Sequence, residues 1–160
     1  MNIIHPLTVI DRLIKKNELG QPFTLMEHQR EVLRLAFAFD QDGRLPWDTI
    51  LYSCIKKCGK TTVNGANTLA WGFTQEAPNE ILILANDLEQ TLARVFKTME
   101  GIIHQAEVQS RSIYLANGTT LTAISGDYQG AAGSNHGFVS YDEFGDYTSE
   151  ASNSFVGRVD

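Results

Sequence analysis

Ammonium groups, a glycine turn and hydroxyls stand together in Cys54-Ile-Lys-Lys-Cys-Gly-Lys-Thr-Thr62. Ammonium groups attract phosphate oxygens, glycine lets backbone N–H groups turn toward an anion, and a threonine hydroxyl is a hard oxygen ligand suited to Mg²⁺. Gly59, Lys60 and Thr61 match the end of the phosphate-loop pattern G-x-x-x-x-G-K-[ST], while Cys54 occupies the place of its first glycine. In that pattern Lys60 reaches the β- and γ-phosphates, Thr61 ligates Mg²⁺, and the amides of Lys57, Cys58, Gly59 and Thr62 cradle the phosphate tail of ATP. A second reactive pair closes the apolar run Gly137-Phe-Val-Ser-Tyr-Asp-Glu143. There Asp142 would hold Mg²⁺ and Glu143 would orient or deprotonate an attacking water. Adjacent residues on a strand point to opposite faces, so these acids need not share one role. Taken singly, a Gly-Lys-Thr turn and an Asp-Glu at a strand end are ordinary surface features. Their combination favours nucleotide chemistry.

Positioning these groups requires strands that deliver them to one sheet edge. The run Ile50-Leu-Tyr-Ser-Cys54 predicts a strand into the phosphate loop, and Val63, Ala66, Asn67, Ala70 and Trp71 predict a helix after it, reaching about Phe73. Glu80–Ala85 is continuously apolar after its first residue, as in a parallel strand covered on both faces. A helix capped within Asn86 to Glu89 is predicted next, with Leu88, Leu92, Val95, Phe96, Met99, Ile102 and Ile103 keeping its period. The pair Asn117-Gly118 between Ser112–Ala116 and Thr119–Ile124 predicts a hairpin with a type I′ turn, appended to the β-α-β pattern. Ser125 to Gly137, with Gly130 and Gly133, reads as a connecting loop. Upstream, residues 1–22 form a short amphipathic lead-in. Thr24-Leu-Met-Glu27 has the form of a capping box for a helix from Leu25 to Phe39, burying Val32, Leu33, Ala36 and Phe39.

The size of 160 residues suits one domain, and 42% hydrophobic with 20% charged residues is ordinary for a globular chain. A net charge of −6 argues against a broad nucleic-acid-coating face, though not against local phosphate contacts. Cys54 and Cys58, without a second ligand pair, suggest free thiols rather than zinc or a disulfide. His5, His28, His104 and His136 are scattered and read as structural or solvent-facing. Neither a membrane span nor a signal peptide is expected.

The chain resembles the ATPase domain of a tailed-phage terminase large subunit, the motor that packages DNA into procapsids. The likeness runs from Phe23 to Tyr147 and rests on four features in order: Phe23-Thr-Leu-Met-Glu-His-Gln29, the lysine-rich phosphate loop, the Asn-Gly hairpin, and the Gly-rich approach to Phe-Val-Ser-Tyr-Asp-Glu143. It implies an α/β P-loop NTPase of the RecA/ASCE kind, a mainly parallel sheet flanked by helices, in residues 23–160. By resemblance Gln29 contacts adenine, Lys60 and Thr61 meet phosphate and Mg²⁺, Asp142 binds Mg²⁺ and Glu143 serves the hydrolytic water. Lys56 or Lys57 stands where the family places a cis-acting Arg, keeping the charge without the planar fork. The implied partners are double-stranded DNA, the portal protein, the terminase small subunit and further copies in a ring, with no membrane, in the host cytoplasm. The family adds one more strand between the two motif strands and a nuclease domain. The short stretch after Glu143 contains neither, which leads us to expect a fragment of a longer frame. A helicase-like ATPase and an inactive nucleotide-binding remnant are the competing expectations.

Overall fold

A computed structural model describes residues 4–17, 19–76, 78–85, 89, 96–102, 106–125 and 136–142. They form a mixed α/β domain whose five strands lie in one sheet. Helix α1 spans Pro6–Leu13, α2 Glu27–Ala36, α3 Lys60–Thr74 and α4 Lys97–Ile102. The strands are β1 Glu80–Ala85, β2 Ala106–Val108, β3 Ser112–Leu115, β4 Thr120–Ser125 and β5 Phe138–Tyr141, in the spatial order β2-β3-β4-β1-β5.

β1 is central, parallel to β4 on one side and to β5 on the other. Ile81, Leu82, Ile83 and Leu84 are all buried, so both faces of this strand are covered, as its unbroken apolar run requires. Ile81 and Ile83 join the main core with Val63, Ala66, Leu69 and Ala70 of α3. Leu7, Val9 and Ile10 of α1 belong to the same core, so the N-terminal helix is part of this packing unit. His5 caps α1, its Nδ1 accepting the Leu7 N–H at 3.1 Å, and Pro6 begins the helix where no N–H is needed.

Gly72 permits the close crossing of α3 over the sheet. A Cβ built there would lie 2.8 Å from Leu115 Cδ1 and 3.2 Å from Ile81 Cδ1. Trp71 beside it stacks on Phe37 at 5.5 Å and lies 5.4 Å from Phe138, joining the end of α2 to α3 and β5.

Several expectations are corrected. The predicted strand at 50–54 does not form: residues 49–55 carry no regular structure, and Ile50, Leu51 and Ile55 are exposed. β5 ends the described sheet, so this segment has no described strand beside it to supply ladder hydrogen bonds. The 112–125 hairpin is no appendage, because β4 pairs in parallel with β1 over its full length. Nor is its turn type I′. Gly118 alone takes positive φ, at 86°, and its N–H returns to the Leu115 carbonyl at 2.9 Å, giving a three-residue loop with a left-handed glycine. Asn117 instead uses its side chain, with Nδ2 donating to the Gly72 carbonyl at 2.9 Å and the Gln75 carbonyl at 3.2 Å. The capping box at Thr24 is also displaced. α2 begins at Glu27, and Gln29 Oε1 accepts the Met26 N–H at 2.9 Å, leaving Leu33, Ala36 and Phe37 as the buried stripe. β2 has no counterpart in the sequence reading. Residues 86–88 of the predicted cap, most of the helix after it and the Gly130–Gly133 loop lie outside the described residues.

Candidate functional site

Lys56 to Gly59 form a turn that leads directly into α3. Lys57 has φ 69° and Gly59 φ 79°, flanking Cys58, whose φ is not positive. Alternating handedness of this kind curls a chain so that successive N–H groups converge, the geometry of an anion nest. Gly59 takes its conformation freely, whereas Lys57 holds one that costs a branched or bulky residue about 1–3 kcal/mol. Lys56 and Lys57 are exposed, and Lys60 opens the helix.

Cys54 and Cys58 are joined as a disulfide across this turn, with Cα atoms 6.6 Å apart, which corrects the expectation of free thiols. An extended strand through Cys54 would separate the two. The turn that begins at Lys56 instead brings them within bridging range.

Gln29 reaches the loop from α2. Only 3% exposed, it is not the surface residue that its helix position suggests in isolation. Its Nε2 donates to the Cys58 carbonyl at 3.1 Å while its Oε1 is engaged by Met26, so one amide ties the start of α2 to the phosphate loop.

The two motifs meet. Thr61 Oγ1 donates to Asp142 Oδ2 at 3.1 Å, although the residues are 81 positions apart in the chain. Asp142 follows the last residue of β5, is 3% exposed, and its N–H bonds the Leu84 carbonyl at 2.9 Å, which fixes the end of the strand against β1. Glu143 lies outside the described residues. Thr62 sits one position beyond Thr61 in α3, half-buried.

No protein-family model matches the chain, and no curated protein does. The chemistry of the site therefore stands on its own donors. Among the described residues no group of three or more His, Cys, Asp or Glu could hold a metal ion. Mg²⁺ in a phosphate site does not need such a cage, because one or two carboxylates, a hydroxyl, waters and the phosphates themselves complete its octahedron. A hydroxyl and a buried carboxylate at 3.1 Å fit that donor set. Among the described residues no helix is long and apolar enough to cross a membrane.

Tyr141, just before Asp142, has its phenol pushed up to about 12 by burial and stays neutral throughout the physiological range. His136, at the other end of β5, is held below the ordinary imidazole value by burial, partly offset by Glu80 3.7 Å away. Neither ring was singled out for chemistry in the sequence.

Proposed function

We propose that this chain is a Mg²⁺-dependent ATP-binding and ATP-hydrolysing domain, related in function to the packaging motor of a tailed-phage terminase large subunit. The single observation that carries the reading is the hydrogen bond from the Thr61 hydroxyl to the Asp142 carboxylate at 3.1 Å. Two sequence motifs that would share one metal ion converge on a few ångströms. Positive φ at Lys57 and Gly59, turning the loop into a concave run of amides ahead of Lys60, supports the same reading.

In this reading the amides of Lys57 to Thr62 and the Lys60 ammonium hold the β- and γ-phosphates. Thr61 and Asp142 would hold a Mg²⁺, which when bound would supply charge neutralisation on the phosphate oxygens. Glu143 accepts the proton of the attacking water, and Lys56 or Lys57 adds positive charge beside the γ-phosphate. Gln29 holds the loop through the Cys58 carbonyl and would meet adenine with what remains of its amide capacity. Double-stranded DNA, the portal protein, the small subunit and a ring of copies complete the proposal at the level of the whole motor.

Titration calorimetry with ATP and Mg²⁺, followed by a phosphate-release assay, tests it. Saturable binding and turnover are expected, with Lys60→Ala and Glu143→Ala each lowering turnover by about 100-fold or more. Wild-type turnover in both variants would remove the catalytic assignment. A second reading, nucleotide binding without turnover, is favoured by the position of residues 49–55 outside the sheet. Binding with no phosphate release by the unaltered chain would select it.

A further inference from the structure

Toward the Asp142 end of β5 the contact with α3 is polar, whereas at the other end Trp71 meets Phe138. Thr61, Asn64 and Thr68 recur at helical spacing along one side of α3, and Ser140 and Asp142, two residues apart, share one face at the end of β5. Asn64 Nδ2 donates to the Tyr141 carbonyl at 3.1 Å, and Asn64 Oδ1 accepts the Ser140 hydroxyl at 3.0 Å. Thr68 Oγ1 stands 2.8 Å from the Asn64 carbonyl and 3.0 Å from Ser140 Oγ, and its one proton serves either. Thr68 and Ser140 are buried, so these bonds are made away from bulk water.

Asn64 thus grips the two residues that precede Asp142, one by its side chain and one by its backbone. A one-residue slip of β5 would present Val139 and Tyr141 to α3 and turn Asp142 away from Thr61. Such a slip would also leave several buried polar atoms of this network unpaired.

We propose that Asn64 is a positioning residue that locks β5 to α3 in the register setting the Asp142 carboxylate against the Thr61 hydroxyl. Its consequence for the metal rests on the reading of that pair as Mg²⁺ ligands. Residues that orient metal ligands without touching the ion usually change metal affinity about 10–100-fold when lost.

The test uses the full chain as Asn64→Leu and, separately, Ser140→Ala. The first measurement is the Mg²⁺ concentration giving half-maximal ATP binding, expected to rise about 10–100-fold in Asn64→Leu while ATP binding without Mg²⁺ stays at the wild-type level. The second is hydrogen exchange at the Asp142 amide, which bonds Leu84 and should exchange faster relative to β1 amides. Unchanged exchange together with an unchanged Mg²⁺ midpoint overturns the proposal. Should the unaltered chain bind no Mg²⁺·ATP, the functional reading fails, and the exchange measurement alone decides whether Asn64 sets the register. If Asn64→Leu does not fold, Ser140→Ala, which keeps the bond to Tyr141, carries the same two measurements. It is expected to shift both by a smaller factor, and no shift in either overturns the role.

Discussion

Gly59 and His5 show how single residues set local conformation here. A Cβ at Gly59 would meet nothing closer than Gln29 Nε2 at 3.9 Å, so space is available. Its φ of 79° is the obstacle. Gly59→Ala is therefore expected to destabilise the fold by about 1–2 kcal/mol in denaturant titration and to weaken triphosphate binding by distorting the loop. His5 is held below its ordinary value of 6.5 chiefly by burial, partly offset by a hydrogen bond to the Phe37 backbone. Above that ordinary value the ring is neutral in both folded and unfolded chains. As pH falls the unfolded chain takes up the proton first, so stability is lost on acidification through the lowered folded value. Protonation also removes the Nδ1 lone pair that caps α1. His5→Asn, which keeps a capping acceptor without a titrating ring, should flatten part of the fall in Tm between about pH 7 and pH 5.

Helix α3 is the element on which the molecule turns. One side meets β5 through the polar row headed by Thr61, and Trp71 further along bridges Phe37, Phe39 and Phe138. Trp71→Ala is expected to cost about 3–5 kcal/mol by chemical denaturation, since it opens a cavity between α2, α3 and β5 together. This helix was legible in the sequence because its apolar residues keep one period and its start is marked by Gly59. β1 was legible for the matching reason that four consecutive apolar residues can be satisfied only by cover on both faces. The partners of a strand are a different matter. Thr119–Ile124 alternates like a solvent-facing hairpin arm, and nothing in its own pattern reports that β1 lies parallel beside it. The Asn-Gly pair misled for a similar reason, because Asn117 is engaged by carbonyls at the end of α3 and just past it, remote in sequence. Local propensity reports what a segment can do alone, and these segments are decided by what lies across from them.

At the scale of the whole molecule, the convergence of Thr61 and Asp142 followed from motif order and spacing, whereas the network of Asn64, Thr68 and Ser140 behind it did not. Single Asn, Thr and Ser residues inside apolar patterns carry no signal until a fold brings them together. The same arrangement implies a trade between stability and ligand use. Asp142 is only 3% exposed, a place where a neutral side chain of the same shape is often the more stable occupant. Asp142→Asn retains the size and an acceptor for Thr61 while removing the carboxylate. It is expected to raise Tm in Mg²⁺-free buffer and to abolish the further rise that Mg²⁺·ATP gives the unaltered chain, both read by thermal melts. The position of β1 carries a different consequence, one of timing. Ile81 is flanked by Leu121 and Phe138, both synthesised well after it. On the ribosome the central strand must wait, with its two ladders open, until nearly all of the described chain has emerged. Long loops then have to close before either ladder yields any hydrogen bonds, so collapse of the helices should run ahead of sheet closure, and chaperone engagement would matter most in that interval.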